Sequence, residues 1–253
     1  MLLFKSILDT PAENLSKDDK RRAPRFSISD SFPFRCKLTL FQHNGVKLPD
    51  GKGKEWSVNL ANLSTTGASV QLSLAAVAFQ REPCRLKLSR GDYLLEIPAN
   101  IAHFRCCSQY SLCGIVFNFP DEELKHDYLQ LLEPIVIGNS LAPAAAVQDM
   151  PGRHKEQFGS NPAAQLTLWR DDPAGQIVGF NLRMHQYMIR WTDGAAELEV
   201  TGLGEPDQTG ATPPVALTET QHEEVRWLFC LAIPNLPKTV PVDVRNFFTA
   251  LVG

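Results

Sequence analysis

Trp56-Ser57-Val58-Asn59-Leu60-Ala61-Asn62-Leu63, then Ser64-Thr65-Thr66-Gly67, then Ala68-Ser69-Val70-Gln71-Leu72, is the stretch that decides the fold. Trp56, Val58 and Leu60 alternate with Ser57, Asn59 and Ala61, the period-2 pattern of a half-buried strand. Ser, Thr and Gly then favour a turn, and a second strand-like run follows from Ala68 to Leu74. Outward from this pair, the strand-like runs are Phe32–Gln42, Glu55–Asn62, Cys84–Leu88, Tyr93–Phe104 and Tyr110–Phe119. Pro49-Asp50-Gly51-Lys52-Gly53 and Ser89-Arg90-Gly91-Asp92 supply turns between them. Short strands at regular spacing predict a small, six-stranded antiparallel β barrel. Asp121–Leu132 reads as a helix that packs on it. Asp121, Glu122 and Glu123 suit the positive end of the helix dipole, and Leu124, Tyr128, Leu131 and Leu132 fall at helical spacing.

Two motifs in this region carry chemistry. The first is Arg21-Arg22-Ala23-Pro24-Arg25, an R-x-x-x-R with Lys20 before it. Pro24 biases Ala23 away from helix, so the segment reads as extended. An arginine fork matches the adjacent O6 and N7 acceptors of guanine, and its flat guanidinium stacks on a purine better than lysine does. The second motif is Asn62-x-Ser64-x-x-Gly67. The Asn62 carbonyl can accept from a guanine N1–H or N2–H, and the Ser64 hydroxyl can accept or donate. On a strand these two side chains share a face. Gly67 suits a positive φ or the close approach of a ligand. Taken alone, the basic cluster reads as a solvated tail and the second motif as a turn. Their order, and the strands and helix that follow, point to a ligand.

In that order and spacing the motifs resemble the signature of the PilZ domain, a bacterial receptor for cyclic di-GMP. Glu96–Asn118 looks like the last two strands of that barrel, ending in Gly114-x-x-Phe117, and Asp121–Leu132 looks like the family's C-terminal helix. The resemblance covers roughly residues 15 to 137. It implies that Arg21 and Arg25 wrap the ligand from a flexible arm, while Asn62, Ser64 and Gly67 hold a guanine on the barrel. This chain has Asn62 where many members have Asp. Lys20 and Arg22 are possible auxiliary contacts. His103 falls near the place where some members set an aromatic against the bound guanine from the penultimate strand; a partly buried strand histidine is the plainer reading of it. Members signal through altered protein contacts, with motility or exopolysaccharide production downstream, so a protein partner is expected beside the ligand.

Composition bounds the alternatives. The chain has 253 residues, 43% hydrophobic, with a net charge of −3, enough for real cores and too acidic overall for a general nucleic-acid binder. Residues 164–253 carry six Lys and Arg against eleven Asp and Glu, whereas between Lys17 and Lys37 seven basic residues face three acidic ones. Positive charge gathers where a diphosphate would dock. The apolar run Met1–Phe4 stops at Lys5, short of a secretory leader, and no stretch approaches the roughly 20 apolar residues of a membrane span. A cytoplasmic protein without membrane insertion is expected. Cys36, Cys84, Cys106, Cys107, Cys113 and Cys230 form no C-x-x-C and have no His at zinc spacing. They read as reduced structural thiols, and no metal or cofactor is expected.

The expected organisation is an N-terminal arm (1–31), the barrel with its helix (32–137), a Pro- and Ala-containing linker (138–163) and a small α+β domain (164–253). In the last, Gln165–Trp169, Gln176–Leu182, Tyr187–Trp191 and Glu197–Gly202 read as an antiparallel meander. Thr218-Glu219-Thr220-Gln221 is a capping box opening a helix, and a last helix runs from Pro241 to Val252. No catalytic residues are identified: His222-Glu223-Glu224 is not H-E-x-x-H, and there is no G-x-S-x-G or Walker motif. Two rival functions stand beside the receptor. One is a ligand-independent adaptor, which the arginine motif disfavours. The other is a ligand-regulated enzyme with catalysis in the C-terminal domain, for which no sequence feature speaks.

Overall fold

The computed structural model describes residues 23–43, 46–47, 53–144, 154–161, 164–173, 175–204 and 213–252. The chain forms two compact units that divide between Glu133 and Pro134.

The first unit contains β1 (Phe26–Ser27), β2 (Arg35–Leu40), β3 (Gln42–His43), β4 (Val46–Lys47), β5 (Lys54–Ser57), β6 (Asn59–Ser64), β7 (Gly67–Leu72), β8 (Pro83–Arg90), β9 (Tyr93–Cys106) and β10 (Ser111–Phe117). Eight of these make one sheet, ordered β1-β6-β7-β10-β9-β8-β2-β5, with β3 and β4 a separate hairpin. Of the expected six-stranded antiparallel barrel, the structure bears out the mostly antiparallel sheet, with eight strands in place of six. Among the described residues no ladder joins β5 to β1. The run Glu55–Asn62, expected as one strand, is two. Val58 N–H still donates to Cys36 O (3.0 Å), in register with the β2–β5 ladder, and the chain then passes from β5, at one end of the sheet, to β6, near the other. Only Val58 separates them, so the sheet curls until its ends approach each other. Leu38, Leu63, Leu86, Leu88, Ile97 and Ile101 fill the inside. Alternation of buried and exposed residues along β8 and β9 supplies that core.

The helix α1 (Glu122–Ser140) outruns its expected end at Leu132. Asp121 caps it, its Oδ1 accepting from Leu124 N (2.8 Å). Pro134 lies within it, where proline removes one backbone donor. The helix nevertheless continues, and Ile135, Val136 and Ile137 beyond the proline are buried.

In the second unit β11 (His154–Asn161), β12 (Ala164–Arg170), β13 (Ile177–Met184), β14 (Tyr187–Thr192), β15 (Glu199–Leu203) and β16 (Pro214–Val215) form one sheet in sequential order. β11 comes from the stretch expected as linker. The helices are α2 (Glu219–Ala232) and α3 (Val242–Val252). The capping box is formed: Gln221 N donates to Thr218 Oγ1 (3.4 Å) and Thr218 N to Gln221 Oε1 (2.9 Å). Phe180 of β13 meets Phe248 of α3 edge-on at 4.9 Å and stacks near Phe229 of α2 at 6.3 Å, so aromatic packing seats both helices on the meander. Arg170 is 6% exposed. Its Nε donates to Glu156 (2.8 Å), its Nη2 to Asp243 (2.6 Å) and its Nη1 to Gly175 O (2.9 Å).

Candidate ligand-binding face

The Asn62–Gly67 motif is a hairpin. Ser64 pairs with Gly67 across the two-residue turn Thr65-Thr66. Ser64 is 5% exposed, and its Oγ donates to Gly67 O (3.1 Å) while accepting from Thr66 N (3.4 Å). Its own carbonyl accepts from the Tyr128 hydroxyl of α1 at 2.6 Å. Tyr128 is fully buried against Phe117, and burial raises its pKa strongly. The serine thus fastens the turn, and α1 fastens the serine. Gly67 has no positive φ. Its need for glycine comes from β10: a Cβ there would lie 2.2 Å from Ile115 O.

One irregularity aims Asn62. Leu60 pairs with Val70 but Asn62 pairs with Ser69, so Ala61 is an extra residue, a β-bulge. Without it Leu60 and Asn62 would share a face. With it Leu60 joins Val70 and Leu63 in the core, and Asn62 turns outward with Ser69. The Asn62 Oδ1 is shut from solvent and accepts no hydrogen bond among the described residues, which is costly for an amide carbonyl.

The end of the arm lies on the same strand. β1 pairs antiparallel with β6, Phe26 opposite Leu63 and Ser27 opposite Asn62, and Ile28 N donates to Ala61 O (3.1 Å). The register, continued by one residue, sets exposed Arg25 beside Ser64. Lys20, Arg21 and Arg22 lie outside the described residues.

The PilZ domain family model matches residues 19–133. Residues 19–133 are a PilZ domain. The match ends at the boundary between the two units. No curated protein matches the chain. Similar solved structures include the PilZ domain with c-di-GMP of YcgR from Escherichia coli, 16% identical, covering 43% of this chain and 85% of that one, TM-score 0.34. Another is the K. pneumonia MrkH–c-di-GMP complex, 15% identical, covering 47% of this chain and 52% of that one, TM-score 0.37.

Across the PilZ sheet, directly paired residues form a row: Ser27, Asn62, Ser69, Gly114 and His103, on β1, β6, β7, β10 and β9. Paired residues share a face, so His103 lies on the same face as Asn62, three strands away. The His103 ring lies over Gly114: a Cβ on Gly114 would fall 2.1 Å from its Cε1. His103 is exposed rather than a buried strand histidine. Its exposed ring, placed over Gly114, is a surface against which a base could stack. This row could not be read from sequence, because its members are joined by long-range pairing.

Among the described residues no three His, Cys, Asp or Glu side chains gather as metal ligands, and no helix is long and apolar enough to cross a membrane. All six cysteines are free. Desolvation by burial pushes the Cys36 and Cys113 thiols up to about 12, leaving them as inert packing groups.

Proposed function

We propose that this chain is a bacterial receptor for cyclic di-GMP. The observation that carries the reading is the sealed, unpartnered Oδ1 of Asn62, in a row with His103 and beside the strand that follows Arg25. A guanine supplies the N1–H and N2–H donors that this acceptor lacks. Arg25 is exposed and has no carboxylate partner among the described residues, which suits a phosphate or a guanine edge. Arg21 is the second motif arginine in this reading, with Lys20 and Arg22 as auxiliary contacts. Gly67 and Ser64 hold the turn that presents Asn62.

Ligand binding draws the arm over the sheet face and alters the β1–β6 pairing. The changed arm signals through a protein partner in the cytoplasm, without chemistry by the receptor itself. The pairing of Ser27 with Asn62 supports this coupling, because a ligand on Asn62 acts on the strand that holds the arm.

Isothermal titration calorimetry tests the receptor reading. Wild type binds cyclic di-GMP at micromolar concentration or tighter, and Arg21→Ala/Arg25→Ala loses that binding. No heat and no thermal shift with folded wild type would refute it. Hydrogen exchange of residues 15–31 tests the coupling; exchange unaffected by saturating ligand would refute that part alone.

A further inference from the structure

Arg105 stands two residues beyond His103 on β9 and pairs, through β10, with a second row: Arg105 opposite Leu112, Leu112 opposite Gln71, Gln71 opposite Asn59. No β-bulge intervenes between Leu112 and Gly114, or between Ser69 and Gln71. Arg105 therefore projects from the same face as Asn62 and His103. The two rows contain Ser27, Asn62, Ser69, Gly114, His103, Asn59, Gln71, Leu112 and Arg105, with no carboxylate among them.

Three other cations of this sheet are matched. Lys37 pairs with Glu55 (2.7 Å), and Arg85 and Lys87 both reach Glu96 (3.1 and 3.3 Å). Arg105 is exposed and has neither an ion-pair nor a hydrogen-bond partner among the described residues. β8 pairs with β9 only as far as Asn100, so among the described residues no strand flanks Arg105 on that side.

We infer that Arg105 is a specificity-determining residue that reads the second guanine of the ligand, the one not held by Asn62. This rests on the cyclic di-GMP reading above. A cyclic dinucleotide presents two bases, and one Asn62 satisfies one of them. The sheet separates Asn62 from β9 by about 14 Å, three strand spacings of ~4.8 Å, and the inward-lying His103 ring shortens that span. A base resting on His103 turns its O6 and N7 edge toward the next residue on the same face of β9. There the guanidinium of Arg105 donates two parallel hydrogen bonds. Adenine offers an amino donor in place of O6, so the same arginine disfavours it.

The test is calorimetry on the full chain with two probes, cyclic di-GMP and the mixed cyclic dinucleotide of GMP and AMP. Wild type prefers cyclic di-GMP by about tenfold or more. Arg105→Ala weakens cyclic di-GMP by a similar factor and leaves the mixed ligand nearly unchanged, so the preference collapses. Arg105→Lys behaves like Arg105→Ala, because an ammonium cannot make the paired contact. Equal affinity of wild type and Arg105→Ala for cyclic di-GMP, with the preference intact, overturns the inference while leaving the receptor reading standing. Full rescue by Arg105→Lys also overturns it, since a point charge would then be serving a phosphate. Failure of folded wild type to bind either ligand sinks the receptor reading and this one with it. Unchanged melting of both variants excludes misfolding, as expected for an exposed side chain.

Discussion

Gly67→Ala separates the two reasons a binding motif can contain a glycine. A Cβ on Gly67 would sit 2.2 Å from Ile115 O, with the Ile115 carbonyl carbon at 3.3 Å. The obstruction is backbone, so no side-chain rotation relieves it, and β7 must part from β10 by more than about 1 Å to reach ordinary contact. Gly67 lies at the end of the β7–β10 ladder, opposite Val116, so the end can open without the whole ladder failing. Opening it strains two hydrogen bonds, Phe117 N to Thr66 O (2.9 Å) and Ser64 Oγ to Gly67 O (3.1 Å), each contributing about 1 kcal/mol. It also loosens Phe117, which packs 4.9 Å from Tyr128. The expected cost is about 2–4 kcal/mol, a fall in the PilZ-domain melting temperature of roughly 8–15 °C. Thermal unfolding of the ligand-free chain, followed by circular dichroism, reads it directly. A melting temperature within a degree of wild type, with ligand binding abolished, would refute the reasoning and return Gly67 to the ligand.

Three further outcomes are expected. Tyr128→Phe leaves the Ser64 carbonyl without its buried donor and costs about 1–3 kcal/mol in urea unfolding; no change would mean that water replaces the hydroxyl freely. Although desolvation opposes it, the Arg170 hydrogen bond and charge, with backbone donors, hold the Asp243 carboxyl below its usual range. A depressed pKa gives stability that is complete above the unfolded value, about 3.9, and is lost as pH falls toward the folded one. The second unit should therefore weaken below about pH 4, and Asp243→Asn should flatten that slope; an unaltered slope in acid titration would remove Asp243 as its source. Buried Cys36, Cys84 and Cys113 should resist a thiol reagent in the native chain while exposed Cys106 reacts, as a colorimetric thiol count under native and denaturing conditions would reveal.

Much of the fold was legible because its signals are local. Alternation along Tyr93–Phe104 marked most of β9, which runs on to Cys106, and the Thr218–Gln221 capping box marked the start of α2. Turn residues Gly91 and Asp92 marked the β8–β9 hairpin, where Gly91 has φ of +54°. Misses arose where distant contacts override local pattern. Glu55–Asn62 alternates like one strand, but its first half pairs with β2 at one end of the sheet and its second half with β1 and β7 near the other. The helix expected to end at Leu132 runs on through Pro134 to Ser140, carried by buried Ile135, Val136 and Ile137.

For the candidate site, the sequence by itself determined which residue types are available. Arginines precede a strand, and an amide, a hydroxyl and a glycine stand at a hairpin, because those identities and spacings lie within short stretches of chain. Tertiary structure alone decided which way they face and what they meet. The Ala61 bulge turned Asn62 out of the core, and Ile115 rather than a positive φ fixed Gly67 as glycine. Ladders between β6, β7, β10 and β9 set His103 in one row with Asn62 and brought Arg105 alongside. A side chain's direction on a strand depends on register, and register is fixed by partner strands that the local sequence does not contain.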